Sequence, residues 1–221
     1  MMRLFRRFKD LAIEGARAKY YDQISRENRM EEMKEEAREV AAHIKDGDWV
    51  VEVAPGPGYL CIELAKLGKF KITGMDISKD LVAIAANNAK EAGVDVEFVQ
   101  GNASDMPFDE SSVDFIICVL AFKNFKEPQK CLNEFYRVLK PGGRALIMDL
   151  NRDASMQAMK AFVKTFGLEG LNATIAGFIQ RGGAYTRKEF EGFISKTGFK
   201  DHEIKDSRMG FSIYLSKSGA V

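Results

Sequence analysis

The sequence predicts an α/β fold: a doubly wound, seven-stranded, mostly parallel sheet with an N-terminal helical cap. Three observations predict it. Apolar runs of strand length alternate with stretches of helical periodicity across residues 48–150. The run VDFIICVL at 113–120 is almost wholly apolar, as a strand covered on both faces must be. An earlier run, VVEV, passes straight into Ala54-Pro55-Gly56-Pro57-Gly58, a turn built from residues with special backbone angles.

The elements follow in order. A helix is expected over 30–44, where Met33, Ala37, Val40, Ala41 and Ile44 recur at helical spacing and Asn28 with Glu31 makes a capping-box start. Residues 48–53 read as the first strand, and 58–67 as a helix. A strand over 70–75 ends at Asp76, Ser78 caps a helix over 79–92, and 94–99 is the third strand. After the apolar strand comes a helix over 128–139, stopped by Lys140-Pro141-Gly142-Gly143, and then a fifth strand over 145–150. Residues 153–166 and 171–180 read as helices, and Arg181-Gly182-Gly183 breaks the chain. Thr186 with Glu189 forms a second capping box ahead of a helix to Lys196. Two strands, 199–205 and 211–216, turn at Met209-Gly210, so the last strand runs against the others. The expected organisation is one domain over 1–221: a cap at 1–46, a cofactor-binding half at 47–150, and substrate-side helices with the last two strands at 151–221.

Composition narrows the function. A net charge of +1 argues against nucleic acid as a partner, which would require a basic excess. No apolar run reaches membrane-spanning length, and the N-terminus lacks the apolar stretch and cleavage site of a signal peptide. Cys61, Cys118 and Cys131 are widely spaced in apolar sequence, which fits buried thiols in a reducing cytoplasm and neither disulfides nor a metal site. Near the N-terminus, Leu4, Phe5, Phe8, Leu11 and Ala12 share a helical face opposite Arg3, Arg6, Arg7 and Lys9. Such a helix could lie on an anionic membrane, but packing on its own domain or a partner is the preferred reading.

In a parallel sheet of this kind ligands sit beyond the carboxyl ends of the strands. A glycine turn between a strand and a helix lets a ligand approach the main chain. The dinucleotide pattern G-x-G-x-x-G is incomplete here, because Cys61 stands where the third glycine belongs. Asp76, at the end of the next strand, has the geometry to accept hydrogen bonds from ribose hydroxyls. The following strand ends carry Gly101-Asn102-Ala103-Ser104-Asp105-Met106-Pro107-Phe108 and Leu120-Ala121-Phe122-Lys123-Asn124-Phe125, and Arg137-Val138-Leu139-Lys140-Pro141-Gly142-Gly143 leads into the fifth strand.

In that order and spacing, these motifs resemble the class I S-adenosylmethionine-dependent methyltransferases throughout 50–150. Lys123-Asn124 resembles the basic-Asn pair of the ubiquinone/menaquinone C-methyltransferase branch, also called methyltransferase type 11. The resemblance implies S-adenosyl-L-methionine as cofactor, S-adenosyl-L-homocysteine as product, and a small, partly apolar acceptor. It further implies that Ala54, Pro55, Gly56 and Gly58 cradle the methionine portion, with Glu52 oriented toward it. Asp76 would hold the ribose, Ile77 would flank the adenine, and Asn102 and Ala103 would meet its edge, Asn102 through its carbonyl oxygen. The backbone near Leu120 would receive the cofactor's amino group. Tyr20 or Tyr21 would cap the site, in a region that often folds over the cofactor in this family.

Candidates for catalysis are Lys123, Asn124, Asp149 and Tyr21, while His43 and His202 are better read as structural. Arg152 reads as solvated or as an anchor for an acidic group, and Tyr185 as a residue reaching the pocket from above. The Met-, Phe- and Leu-rich stretch at 155–180 reads as core, or as the wall of an acceptor pocket. Two other functions remain open at this point: an NAD(P)-dependent dehydrogenase, and a non-catalytic cofactor-binding partner subunit.

Overall fold

A computed structural model describes residues 9–207 and 210–219 of the chain. Helices α1 (Ala16–Asn28) and α2 (Met30–Ala41) lead into strand β1 (Trp49–Val53). Then come α3 (Tyr59–Ala65), β2 (Lys71–Asp76), α4 (Lys79–Ala92), β3 (Glu97–Gln100) and β4 (Val113–Val119). A short 3-10 turn (Phe122–Asn124), α5 (Pro128–Val138) and β5 (Leu139–Leu150) follow. The chain closes with α6 (Met156–Lys164), α7 (Gly170–Gly183), α8 (Arg187–Ile194), β6 (Asp201–Asp206) and β7 (Gly210–Ser216).

The sheet has seven strands in the order β3-β2-β1-β4-β5-β7-β6. Strands β1 to β5 pair in parallel, and β7 runs antiparallel to both β5 and β6, as the short final connection predicts. Strand order reverses between β1 and β4, so their carboxyl ends splay apart and leave a crevice. Alternation along the strands builds a core on each face. Val51, Val53, Ile116, Cys118, Ala145 and Ile147 pack with α5 and α8, whereas Val50, Phe115, Ile117 and Leu146 pack with α2 and α3.

Local chemistry sets several boundaries as expected. Ser78 Oγ accepts the Leu81 N–H at 3.0 Å and starts α4, and the Thr186–Glu189 capping box is complete at the head of α8. Other boundaries differ. Asn28 donates to Ile24 O at 3.0 Å and leaves α2 without a side-chain cap. Lys140-Pro141-Gly142-Gly143 is a bulge inside β5, between the Val113–Leu139 and Phe115–Arg144 pairs, and Gly142 and Gly143 exchange backbone hydrogen bonds with Lys217 there. Helix α7 continues through Gly182 and Gly183. The stretch read as core is split: α6 buries Met159 and Phe162, while Leu171, Ile175 and Phe178 of α7 are exposed.

Most of the basic amphipathic segment at the N-terminus lies outside the described residues, as does Met209 of the final turn. Its described end is not helical. Residues 11–14 form an irregular strap held by long-range hydrogen bonds. The Asp10 N–H donates to Asn124 O and the Lys126 N–H to Asp10 Oδ1, while Ser78 Oγ donates to Ile13 O at 2.7 Å and the Gly15 N–H to Asp80 Oδ2. Among the described residues, no helix is long and apolar enough to cross a membrane.

Candidate functional site

A cavity lies at the carboxyl ends of β1, β2 and β4, under the strap. Val53, Ala54 and Gly56 form its floor, and Met75, Asp76 and Ile77 one wall. Gly101, Asn102 and Ala103 lie along the β3 side, and Leu120, Ala121, Asn124 and Phe125 along the β4 side. Asp10, Leu11, Ile13 and Tyr21 cover it.

The turn after β1 is shaped by its left-handed residues. Ala54 has φ 60, Gly56 φ 57 and Gly58 φ 83. At Gly56 a Cβ would lie 2.9 Å from Tyr21 Cε1, so the bare glycine lets the tyrosine ring close onto the loop. Gly58 serves packing instead. A Cβ there would meet Phe98 at 2.7 Å and Ala85 at 2.9 Å, and the residue does not line the cavity. Pro55 is also turned away from the cavity, with its ring against β2 at Gly74. The cradle expected of these four residues is therefore lined by Ala54 and Gly56, with Pro55 and Gly58 supporting it from behind.

Asp76 is 5% exposed, and its two oxygens accept the N–H groups of Gly56 at 3.1 Å and Ser78 at 2.9 Å. Burial raises its pKa, and the two backbone donors oppose that rise. Each carboxylate oxygen keeps a second lone pair, so Asp76 fixes the loop and can still accept a further pair of donors from the cavity. Asn102 behaves differently from expectation. Its carbonyl oxygen accepts both the Ser104 N–H at 2.9 Å and the Ser104 hydroxyl at 3.0 Å, which uses both lone pairs. What Asn102 offers the cavity is its amide N–H groups, suited to a ring nitrogen and unable to accept from an exocyclic amine.

Of the adjacent tyrosines, Tyr21 lines the cavity and Tyr20 is 58% exposed, because neighbours on a helix point about 100° apart. Tyr20 is thus corrected to a surface residue. Burial raises the pKa of Tyr21 and keeps its phenol protonated. Two further candidates also move out of the site. Lys123 and Asp149 form a buried ion pair with Nζ 3.5 Å from Oδ1, and neither lines the cavity. The Lys123 ammonium donates to Leu120 O, and Leu120, at φ 55, donates its N–H to Met148 O at 2.7 Å. The Leu120 carbonyl is therefore already engaged, while Asn124 remains on the cavity wall. Arg152 pairs with Glu189 at 2.7 Å, and Tyr185 accepts a 2.6 Å hydrogen bond from Lys9 Nζ. The sequence pattern puts Leu11 on a helical face, whereas it lies in the irregular strap with Asp10 and Ile13, and none of the three is marked as a cavity residue by that pattern.

Glu52 lies behind the loop, 4% exposed, and accepts a 2.9 Å hydrogen bond from Cys61 Sγ. Burial pushes its pKa from 4.5 up to about 7. The folded chain therefore holds a proton that the unfolded chain releases. The resulting stabilisation is complete below about pH 4.5 and is lost as pH rises through about 7, a difference on the order of 3 kcal/mol. Glu36, which burial pushes up to about 8, acts in the same direction. The ligand-free protein should lose Tm between about pH 5 and 8, and Glu52→Gln should flatten part of that slope. A slope unchanged in Glu52→Gln, measured by thermal unfolding across pH, would remove Glu52 as its source.

Comparisons with known proteins agree with this geometry. Residues 51–147 match the family described as "Methyltransferase domain". The chain is 28% identical over 186 residues to the chloroplastic 2-phytyl-1,4-beta-naphthoquinone methyltransferase of Arabidopsis thaliana, covering 75% of this chain and 70% of that one. It is 36% identical over 112 residues to the demethylmenaquinone methyltransferase of Chlorobaculum tepidum, but spans only 45% of that protein and half of itself. A crystal structure from Methanococcus maripaludis, described as an S-adenosyl-L-methionine-dependent methyltransferase, superposes with a TM-score of 0.77 at 23% identity, covering 92% of this chain and 93% of the other. At that identity the superposition speaks for the fold alone.

Proposed function

We infer the acceptor from the premise that this chain is an S-adenosylmethionine-dependent methyltransferase acting on a small molecule, belonging to the methyltransferase-domain family over residues 51–147. The acceptor we assign is an aromatic ring of the 1,4-naphthoquinone type, presented as its hydroquinone and methylated on carbon. The observation that carries it is the asymmetry of the cavity. Asp76 makes a polar sugar corner at one side, whereas Leu11, Leu120, Ala121 and Phe125 make an apolar wall at the other. The substrates named for the Arabidopsis and Chlorobaculum relatives support the same ring class. The buried free thiols Cys61, Cys118 and Cys131 support a reducing, cytoplasmic compartment.

The cofactor, when bound, supplies a methyl group activated on a sulfonium sulfur. Everything else falls to this chain. In our reading Asp76 holds the ribose, Ile77 and Ala103 flank the base, and Ala54 and Gly56 give the amino-acid end its approach to the main chain. Tyr21 and the strap exclude water above them. A quinone carbon is electron-poor, so the acceptor must arrive reduced. With its hydroxyl proton given up to solvent, such a ring would offer a carbon electron pair to the methyl carbon, and the ring proton displaced there would also leave to solvent, restoring the aromatic hydroquinol. Lys123 and Asp149 form a buried ion pair and do not line the cavity that would hold the acceptor. The titratable groups on the cavity wall are Asp10, Tyr21 and Asp76. Holding the ring in line with the methyl is worth about 7–11 kcal/mol of barrier, which makes positioning the main contribution.

Turnover of a panel of reduced naphthoquinones bearing a free ring position, read by mass spectrometry beside phenol, amine and carboxylate acceptors, tests the assignment. The expected product is a ring-methylated naphthoquinol. Methylation of an amine or a carboxylate with none of the quinols would overturn it.

A further inference from the structure

The acceptor's hydroxyl proton needs a first resting place, and the cavity wall offers three titratable groups, Asp10, Tyr21 and Asp76. Two of them are otherwise committed. Burial keeps the Tyr21 phenol protonated. Asp76 accepts the Gly56 and Ser78 N–H groups with its two oxygens and stands at the end of β2, on the side away from the apolar wall.

Asp10 is placed differently. Its N–H donates to Asn124 O at 3.0 Å, and its Oδ1 accepts the Lys126 N–H at 2.9 Å, so the residue is clamped to the segment that follows β4. That segment supplies Leu120, Ala121 and Phe125 of the apolar wall. The strap is held on both sides of Asp10, by Lys9 Nζ donating to the Tyr185 hydroxyl at 2.6 Å and by Ser78 Oγ donating to Ile13 O at 2.7 Å. Only one oxygen of the carboxylate is used in the clamp, and among the described residues Oδ2 accepts no hydrogen bond. An ionised carboxylate has about four acceptor sites, so most of its capacity is left for a donor that enters the cavity. The backbone points the same way. Three of the four non-glycine residues at positive φ among the described residues, Asp10, Ala54 and Leu120, line this cavity. Such conformations gather at active sites, where the surrounding structure holds them in place.

We propose that Asp10 is the catalytic base that takes the acceptor's hydroxyl proton on Oδ2, the first stop on that proton's way to solvent. The assignment rests on the hydroquinone reading above and adds to it a residue that no sequence motif marks. The O–H bond breaks and its electron pair stays on oxygen, from which charge moves into the ring. The ring carbon then bonds to the methyl carbon as the C–S bond breaks and its pair leaves on sulfur. The displaced ring proton goes to solvent, as does the proton carried by Asp10. The product oxygen takes one proton back, so the balance is one proton released for each methyl group transferred.

The test uses Asp10→Asn, which suits the left-handed backbone and keeps an oxygen for the Lys126 N–H while removing the proton acceptor. Calorimetric titration with S-adenosylhomocysteine is expected to give wild-type affinity, which shows the variant folded with its strap in place. Turnover of 1,4-naphthohydroquinone under reducing conditions, read by mass spectrometry, is expected to fall about 10²–10⁴-fold. A chlorinated naphthohydroquinone with more acidic hydroxyls is expected to show a smaller deficit, because it needs less help to lose its proton. Should Asp10→Asn not fold, Asp10→Gly fits φ 56 without strain and is expected to lose turnover and regain part of it with added formate, and no regain would overturn the assignment. Turnover by Asp10→Asn equal to that of wild type would overturn it as well. So would an equal deficit with both acceptors, by showing an effect on structure and not on the proton. A wild-type chain that binds S-adenosylhomocysteine but methylates neither hydroquinone would instead remove the acceptor reading, and this role with it.

Discussion

Asp76→Ala should reduce S-adenosylhomocysteine affinity by on the order of a hundredfold or more. Two contributions add. On the proposed reading the variant loses the acceptor for two ribose hydroxyls, and bonds to a charged group are worth about 1.5–3 kcal/mol each. It also strands the Gly56 and Ser78 N–H groups, whose only side-chain acceptor among the described residues is this carboxylate. The Gly56 N–H helps fix the turn on which Tyr21 rests, so the loop loses its register as the sugar loses its partner. Asp76→Asn keeps the shape but has a single oxygen for the work of two, and an intermediate loss is expected. Calorimetric titration of the three proteins reads the series directly. Wild-type affinity in Asp76→Ala would take the ribose away from this corner and place the ligand elsewhere in the crevice.

The strand ends were legible because each carries a local signature. An apolar run, a glycine turn and an acid after the second strand can be seen in a few consecutive residues, and their alternation with helices implies a mostly parallel sheet. Helix α1 was missed for a physical reason: it buries only Ala18 and Ser25 as full side chains, and its apolar periodicity is weak. The strap was missed because it is held largely by backbone groups of residues far away in sequence, such as Ile13 O with Ser78 and Asp10 N–H with Asn124. Backbone atoms are the same in every residue, so nothing in the sequence marks them. The candidate site failed in the opposite way. Lys123 and Asp149 each follow a strand on the reactive side, and each alone has the residue type of a catalytic group. Only the pairing of β4 with β5 brings them within 3.5 Å of one another.

That pairing makes the largest stability prediction. Asp149 has a fully buried side chain, and its oxygens accept the Lys123 N–H at 2.6 Å and the Leu150 N–H at 2.7 Å besides facing the Lys123 ammonium. Lys123 is 5% exposed, and its other partner is Leu120 O. Asp149→Ala leaves an ammonium in the core with a carbonyl alone, and two backbone N–H groups without an acceptor. Removing one partner of a buried pair costs about 3–5 kcal/mol, a large part of the whole stability of a domain. Lys123→Met should cost less, because the carboxylate it leaves behind keeps two donors. The double variant should fall short of the sum of the singles by about 1–3 kcal/mol, since the second change removes a charge the first had orphaned. Urea denaturation of the four proteins gives the cycle. The function should follow the stability: Leu120, at positive φ on the cavity wall, is held through this pair, so the single variants should also bind S-adenosylhomocysteine more weakly at temperatures where they remain folded. An Asp149→Ala protein within about 1 kcal/mol of wild type would show that the lysine reaches water or another acceptor, and would return both residues to the list of groups free to act on an acceptor.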